Sequence, residues 1–332
     1  MHLELVVPAL LTAQELPQIR IPALEILLAR GRRSRTTPGS LETWLCRAFG
    51  LEDSSPVPAG ALTASAHGVD PGSDHWVRAD PVHLRADRDR LLLIPGQAFS
   101  IAPAEAQTLA AALAPLLAGK YQLHAATPGQ WCLRIEGGAQ EIASDRPPVE
   151  LAGADIDPHL PPKRWLPLLT ELQMALYDNA VNTAREARGE PALNSLWLWG
   201  AGKLPAAASG PWHSVSSVDP LAQGLARLAG MRHRAPGPDA AQWLERAPEE
   251  GRHLLVFDEL RGLEALGEFE AHARRLQELE ANWFAPLLMA LKSRRIGMLS
   301  VHLPEAALSF ETARGDLGRF WRRPRPLASH LS

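Results

Sequence analysis

The sequence predicts an α/β protein with a doubly wound core and a smaller α+β domain inserted into it. Three observations predict this. From Leu196 onward, short apolar runs alternate with helical stretches, the rhythm of a sheet wound with crossover helices. Between Arg85 and Pro162 a strand–helix–strand–strand block interrupts that rhythm. At 332 residues the chain is also long enough for two lobes. The core is assigned to residues 1–85 and 160–332 and the insert to 86–159.

The elements follow in order. Leu3–Val7 is an apolar run and reads as a first buried strand. Ile21–Arg30 reads as a helix, with Pro22 tolerated in its first turn and Gly31 as its cap. Arg32 to Ser40 is a polar, basic loop, Leu41–Phe49 a helix, and Ser54 to Gly60 a loop. In the insert, Arg90–Ile94 is a strand and Pro103–Leu117 an Ala/Leu helix. Tyr121–Ala125 and Trp131–Ile135 are strands joined through Thr127-Pro-Gly129. Ser144–Pro162 is a Pro-rich return, and Trp165–Leu176 a helix. The strand Leu196–Trp199 then leads to the helix Leu221–Ala229. The strand His253–Phe257 leads to a long helix, Leu263–Ala290, and Ile296–Val301 is the last strand. The tail from Phe310 is polar and basic.

Composition narrows the function classes. The formal charge of −3 gives no whole-protein field that would draw nucleic acid or an anionic membrane. The two cysteines, Cys46 and Cys132, are far apart in apolar settings, which fits a reducing cytoplasm. No apolar run approaches the ~20 residues of a membrane span, and Glu4 interrupts the N-terminal run where a secretion signal would be apolar.

Asn194-Ser-Leu-Trp-Leu-Trp-Gly-Ala-Gly-Lys203-Leu-Pro205 is the most distinctive stretch. Trp197 and Trp199 fall on one side of a strand, and Gly200 and Gly202 allow a sharp turn or a close backbone approach. It is not a phosphate-binding Walker loop, because Leu204 stands where Ser or Thr would bind magnesium. The stretch resembles a segment of the archaeal type of cofactor-independent phosphoglycerate mutase. Upstream, Asn179-Ala-Val-Asn182-Thr-Ala-Arg185, Gly189, Pro191 and Asn194 are similar to that family's pattern, and so is Val218-Asp219 through Gly230 downstream. Weaker similarity runs from residue 1 to about 304. The chain most resembles the proteobacterial branch known as the RpfE-type regulatory family. The resemblance implies an alkaline-phosphatase-like core with an inserted domain and two divalent metals held by Asp and His beside a Ser or Thr nucleophile.

The residues of that constellation are missing at each expected place. Pro8-Ala9 stands where Asp-Gly should end the first strand, and Pro58-Ala59-Gly60-Ala61 stands where the nucleophile should be. Ala265-Leu-Gly267-Glu268 has no His, and Ser144-Asp145-Arg146-Pro147-Pro148 departs from the family's small-domain motif. Only Asp258 and His302 remain as candidate ligands, too few for a zinc site and fewer than a dinuclear one needs. The expectation is therefore a regulatory or small-anion-binding pseudoenzyme with no cofactor. An active phosphomutase or phosphohydrolase with a rewired site is the alternative, and a nucleic-acid-binding regulator the second.

A phosphorylated or carboxylated metabolite is expected at the junction of the lobes. Arg78, Asp80 and His83 form one polar cluster near it, and Arg185 and Lys203 supply cationic donors. Asn182 and Asn194 would wall the cleft, with Gly200 and Gly202 at its strand end. Asp178 and Asp219 read as helix-start residues. Two basic clusters, Arg30-Gly-Arg-Arg-Ser-Arg35 and Arg319-Phe-Trp-Arg-Arg-Pro-Arg325, read as a solvated loop and a tail docked on its own domain. Stacking on single-stranded nucleic acid is the less expected use of the second.

Overall fold

The computed structural model describes residues 1–332 apart from 12–18, 52–55, 89, 137–143, 145, 161, 249, 264, 265, 331 and 332. The chain forms two compact units, Met1–Glu52 with Ala207–Ser332, and Asp53–Ala206. It begins with β1 (His2–Val6), α1 (Pro22–Arg30), β2 (Arg32–Arg35) and α2 (Leu41–Ala48). The second unit contains α3 (Ala59–Ala66), β3 (His75–Asp87), β4 (Arg90–Pro95), α4 (Pro103–Leu117), β5 (Tyr121–Thr127) and β6 (Gln130–Ile135). It closes with α5 (Leu166–Tyr177), α6 (Ala180–Ala187) and β7 (Ser195–Gly202). The first unit resumes with β8 (Ser214–Ser216), α7 (Pro220–Leu228), β9 (Arg232–Arg234), α8 (Ala240–Arg246) and β10 (Arg252–Val256). It ends with α9 (Phe269–Leu279), α10 (Ala285–Lys292), β11 (Met298–Leu303) and β12 (Leu308–Ala313).

The first unit is built on a seven-stranded sheet of order β2-β12-β11-β1-β10-β8-β9. Its β11, β1, β10, β8 and β9 run parallel, while β12 and β2 add antiparallel at one edge. Alternation decides the two faces. Leu3, Leu5, Leu255, Leu299 and Val301 pack with Leu24, Trp243, Leu276, Phe284 and Leu287 of α1 and the later helices. The opposite parity carries Glu4 and His302, and Trp44 of α2 lies 5.1 Å from the His302 ring.

α1 has no side chain capping it from Ile21. Its first amides are instead met by carboxylates. Glu25 accepts from the Ile21 amide at 3.2 Å, and Glu280 accepts from Ala23 and Leu24 at 2.6 and 3.3 Å. Glu280 opens a π turn, Glu280–Phe284, between α9 and α10. The single helix expected over Leu263–Ala290 is therefore two helices with a π turn between them, and part of its start lies outside the described residues.

The second unit is an antiparallel sheet, β4-β3-β6-β5, with β7 also laid along β3. Val77, Ala79, Leu133, Leu196 and Leu198 face α4 and α5 on one side. Trp76 and Cys132, on the other parity, pack on Ala61 and Ala64 of α3. A Cβ on Gly60 would stand 2.5 Å from the Val77 amide nitrogen, so this glycine lets α3 lie directly on the strand.

The α/β class is as expected, and the structure redraws what lies inside it. The Trp strand, assigned to the doubly wound core, pairs antiparallel with β3 in the second unit's sheet. The two units consequently divide at 52/53 and 206/207 rather than at 85 and 160. Ladder partners decide membership here, and β3 binds β4, β6 and β7 together. The basic loop Arg32 to Ser40 begins as strand β2, and the polar tail from Phe310 begins inside strand β12. The 54–60 loop falls partly outside the described residues, and Ala59 and Gly60 already belong to α3.

Candidate functional site at the carboxyl edge of the parallel sheet

In an open parallel sheet, ligands bind beyond the carboxyl ends of the strands, where loops converge. In the first unit those ends are Val6, Ser216, Val256 and Leu303. The loops that follow carry Pro8 and Ala9, Asp219, Asp258 and Glu305. Asp219 caps α7, accepting from the Ala222 amide at 2.8 Å, as its helix-start reading requires. Asp178 differs, because it ends α5, and Asn179 caps α6 instead.

A cation sits among these carboxylates. Arg261 makes two hydrogen bonds to Glu42 of α2, at 2.9 and 3.1 Å, and both side chains are nearly buried. Burial works against the Arg261 charge, but Glu42, Asp219 and Asp258 outweigh it, and its pKa is raised. The carboxyls respond in the opposite sense. Burial pushes Asp219 up, the neighbouring Asp258 charge adds to it, and the carboxyl reaches about 7 despite the opposing pull of Arg261. Asp258 is raised by burial with Arg261 opposing. Glu305 is also raised by burial, although it accepts from the Ala9 amide at 3.3 Å. The edge therefore offers two buried carboxyls, both raised, with Asp219 at about 7, beside a fixed guanidinium.

Ala9 has φ 55°, a left-handed conformation that glycine adopts at no cost. It stands where the resemblance placed the glycine of Asp-Gly.

His302 lies apart from this group. One ring nitrogen is 3.2 Å from Glu4 and the other 3.1 Å from Ser309, and Glu4 also receives Arg252 at 2.7 and 2.9 Å. Asp258 and His302 are thus not gathered into one ligand set. Among the described residues, no three His, Cys, Asp or Glu side chains are grouped as a metal ion would require.

The residues expected to bind a small anion all belong to the second unit, and most are buried in its core. Arg78 and Asp80 are 3% and 0% exposed. Arg78 donates to Asp80 at 2.6 and 3.0 Å and to Thr63 at 3.2 Å, with its guanidinium 5.2 Å from the Trp199 ring. Asp80 also accepts from the Trp199 indole at 2.7 Å and the Trp131 amide at 3.3 Å. Arg185 bonds Glu105, Pro191 O and Ser100 O. Asn182 bonds the backbone at Leu176 and Leu193. Asn194 clasps the Leu84 amide and carbonyl, and His83 lies 2.8 Å from the Ala192 carbonyl. Gly200 and Gly202 leave room for Ala59 and Pro58, whose Cβ atoms would be 2.6 and 2.8 Å from an added Cβ. Only Lys203 is exposed. Arg78 and Arg185, expected to contact an anion, face protein groups in the structure. Both guanidiniums are buried on partners within the unit, which is why a polar cluster in the sequence becomes part of a core.

Sequence reasoning missed Glu42, Arg261 and Glu305. Glu42 carried a signal, a carboxylate inside an otherwise apolar helix turn. Arg261 and Glu305 follow strand ends by a few residues, and only the assembled sheet brings them together.

No protein-family model matches the chain. Among curated proteins, it is similar to a probable 2,3-bisphosphoglycerate-independent phosphoglycerate mutase of Geobacter sulfurreducens, 28% identical over 231 residues. The match covers 64% of this chain and 57% of that relative, so a little over half of the relative's length is spanned. Among solved structures, the PH0037 protein from Pyrococcus horikoshii shares the fold, with TM-score 0.54 and 14% identity over 94% of this chain and 87% of that one. The cofactor-independent phosphoglycerate mutase from Thermoplasma acidophilum aligns with TM-score 0.43 and 17% identity, over 95% and 90% of the two chains.

Proposed function

We propose that this chain is a phosphoglycerate-mutase-like protein that has lost its dinuclear metal site and serves as a regulatory protein of the RpfE type. The observation that supports it is Arg261. Two metals need several carboxylates and imidazoles converging beside an oxygen nucleophile. Here the cation among the carboxylates is a guanidinium held by Glu42, and Asp219 retains a proton up to about 7. Pro8 and Ala9 supply no side-chain donor, and the place of the nucleophile is taken by the buried start of α3. These residues do not fit a two-metal centre. Elemental analysis of the purified chain is expected to find no stoichiometric manganese or zinc, and 3-phosphoglycerate is expected to persist. Two metal ions per chain with turnover would overturn the proposal.

The pairing of Asp219 with Asp258 favours one other reading, an acid–base site rewired without metal. A phosphohydrolase of that kind would lose activity in Asp219→Asn and show a pH profile breaking near 7. For the small anion anticipated near Arg78, Asp80, His83, Arg185 and Lys203, Lys203 is the one exposed cation among those residues. A thermal-shift screen of phosphorylated metabolites, repeated with Lys203→Ala, tests that site.

A further inference from the structure

The two arginine clusters, far apart in sequence, meet on one surface of the first unit. Arg319 donates to the Arg30 carbonyl at 3.1 Å and Arg322 to the Gly31 carbonyl at 3.0 Å, while Arg30 donates to the Leu317 carbonyl at 2.7 Å. The tail is thereby docked on its own unit, as expected, but with its aromatic residues turned outward. Phe320 is 77% exposed and Trp321 66%, and their rings meet edge to face at 5.4 Å. β2 runs alongside as the outer strand of the sheet, with Arg32, Arg33 and Arg35 exposed. The segment that leads into the tail lines a shallow groove of about 610 Å³, bordered by Arg294, Arg314 and the backbones of Gly297, Gly315 and Gly318.

We propose that this surface binds single-stranded nucleic acid. Two exposed aromatic faces offer stacking for bases, and base–aromatic stacking tolerates any sequence. The flanking cations are all arginines, whose planar forks suit phosphate oxygens and also stack. Glu311 pairs with Arg32 and Asp316 with Arg319, while Arg322, Arg323 and Arg325 project beside the aromatics. Arg33 and Arg35, two apart on a strand, lie on one face about 7 Å from each other. The chain's net charge of −3 does not oppose this, because binding follows the local patch within a screening length. A membrane-surface role fits less well. The patch has two large apolar side chains set among arginines, and an interfacial anchor needs a continuous apolar face.

The test is fluorescence anisotropy of a labelled 20-mer oligothymidylate with the full chain, from 50 to 300 mM salt. Binding that weakens steeply with salt, with a log–log slope near −0.7 per phosphate contacted, is expected. Trp321→Ala and Phe320→Ala should each reduce affinity about tenfold or more. Both side chains are largely exposed, so thermal melts should match the parent. Arg323→Glu with Arg325→Glu, exposed sites again, should abolish binding at 150 mM salt. Anisotropy unchanged at 50 mM salt would overturn the proposal. So would binding indifferent to Trp321 and the charge reversals. Duplex DNA bound as tightly as the single strand would exclude stacking, and binding to phosphatidylserine vesicles but not to the oligonucleotide would replace nucleic acid with a membrane.

Discussion

Ala9 shows how a single residue can carry a conformation that its side chain does not favour. Its left-handed conformation should cost about 1 kcal/mol that glycine would not incur. Ala9→Gly is expected to raise the urea midpoint correspondingly, and an unchanged or lower midpoint would show that the turn is not strained. The charged residues predict a pH dependence with two limbs. Glu4 is pushed up by burial, but hydrogen bonds from His302 and Arg252 outweigh it and hold the carboxyl at about 2, below the ordinary 4.5. Its contribution is full above pH 4.5 and lost as pH falls toward 2. Asp219 behaves in reverse. Its folded value, about 7, lies above the ordinary 3.8, so the folded state holds the proton more tightly. Stability should fall by up to about 1.4 kcal/mol per pH unit between pH 4 and 7. Asp219→Asn should flatten that limb in urea titrations, and Glu4→Gln should flatten only the acid one. Asp219 was legible in the sequence as a helix cap, but its proton was not. That depends first on burial and then on the Asp258 charge, with Arg261 opposing, and only the fold brings these about.

The strands of the second unit were legible in unequal measure. Trp197 and Trp199 announced themselves by alternation, and both are 4% exposed. Their partner β3 did not, because Arg78, Asp80 and His83 read as a polar cluster. Pairing of Arg78 with Asp80, and of Asp80 with Trp199, is what lets such a sequence enter a core. Arg78→Met should therefore destabilise by about 3–5 kcal/mol, since it strands a buried carboxylate. Arg78→Met combined with Asp80→Leu should recover part of that loss. Trp197→Ala and Trp199→Ala are each expected to cost about 3–5 kcal/mol, measured by denaturant unfolding. Melts like the parent would mean that neither ring packs as described. β2 escaped sequence reading for a related reason. An arginine-rich run has no apolar face, yet an outer strand needs none, and charge there discourages edge-to-edge association.

At the scale of the molecule, the helices and strand ends could be read locally, whereas sheet membership could not. Which strand joins which sheet is decided by partners distant in sequence, as β3 and β7 demonstrate. The second unit is one continuous stretch, Asp53–Ala206, with its own apolar core between the sheet, α4 and α5. Expressed alone, it should give a cooperative thermal transition by circular dichroism. A broad, non-cooperative melt would show that it depends on the rest of the chain.

The π turn at Glu280–Phe284 has a consequence for how this chain can vary in length. A π turn amounts to one residue more than an α-helix would use over the same span. Deleting one residue there would not open a gap. The Ala285 amide already donates to the Glu280 carbonyl five residues back, and without one residue between them the same bond would close a regular α turn. Leu287, Leu288 and Leu291 would keep the core positions they now fill. The Glu280 carboxylate would stay at the Ala23 and Leu24 amides. Loss of the exposed Ala281 or Asn282 should thus be more tolerable than loss of a residue within α10, which would turn everything beyond it by about 100°.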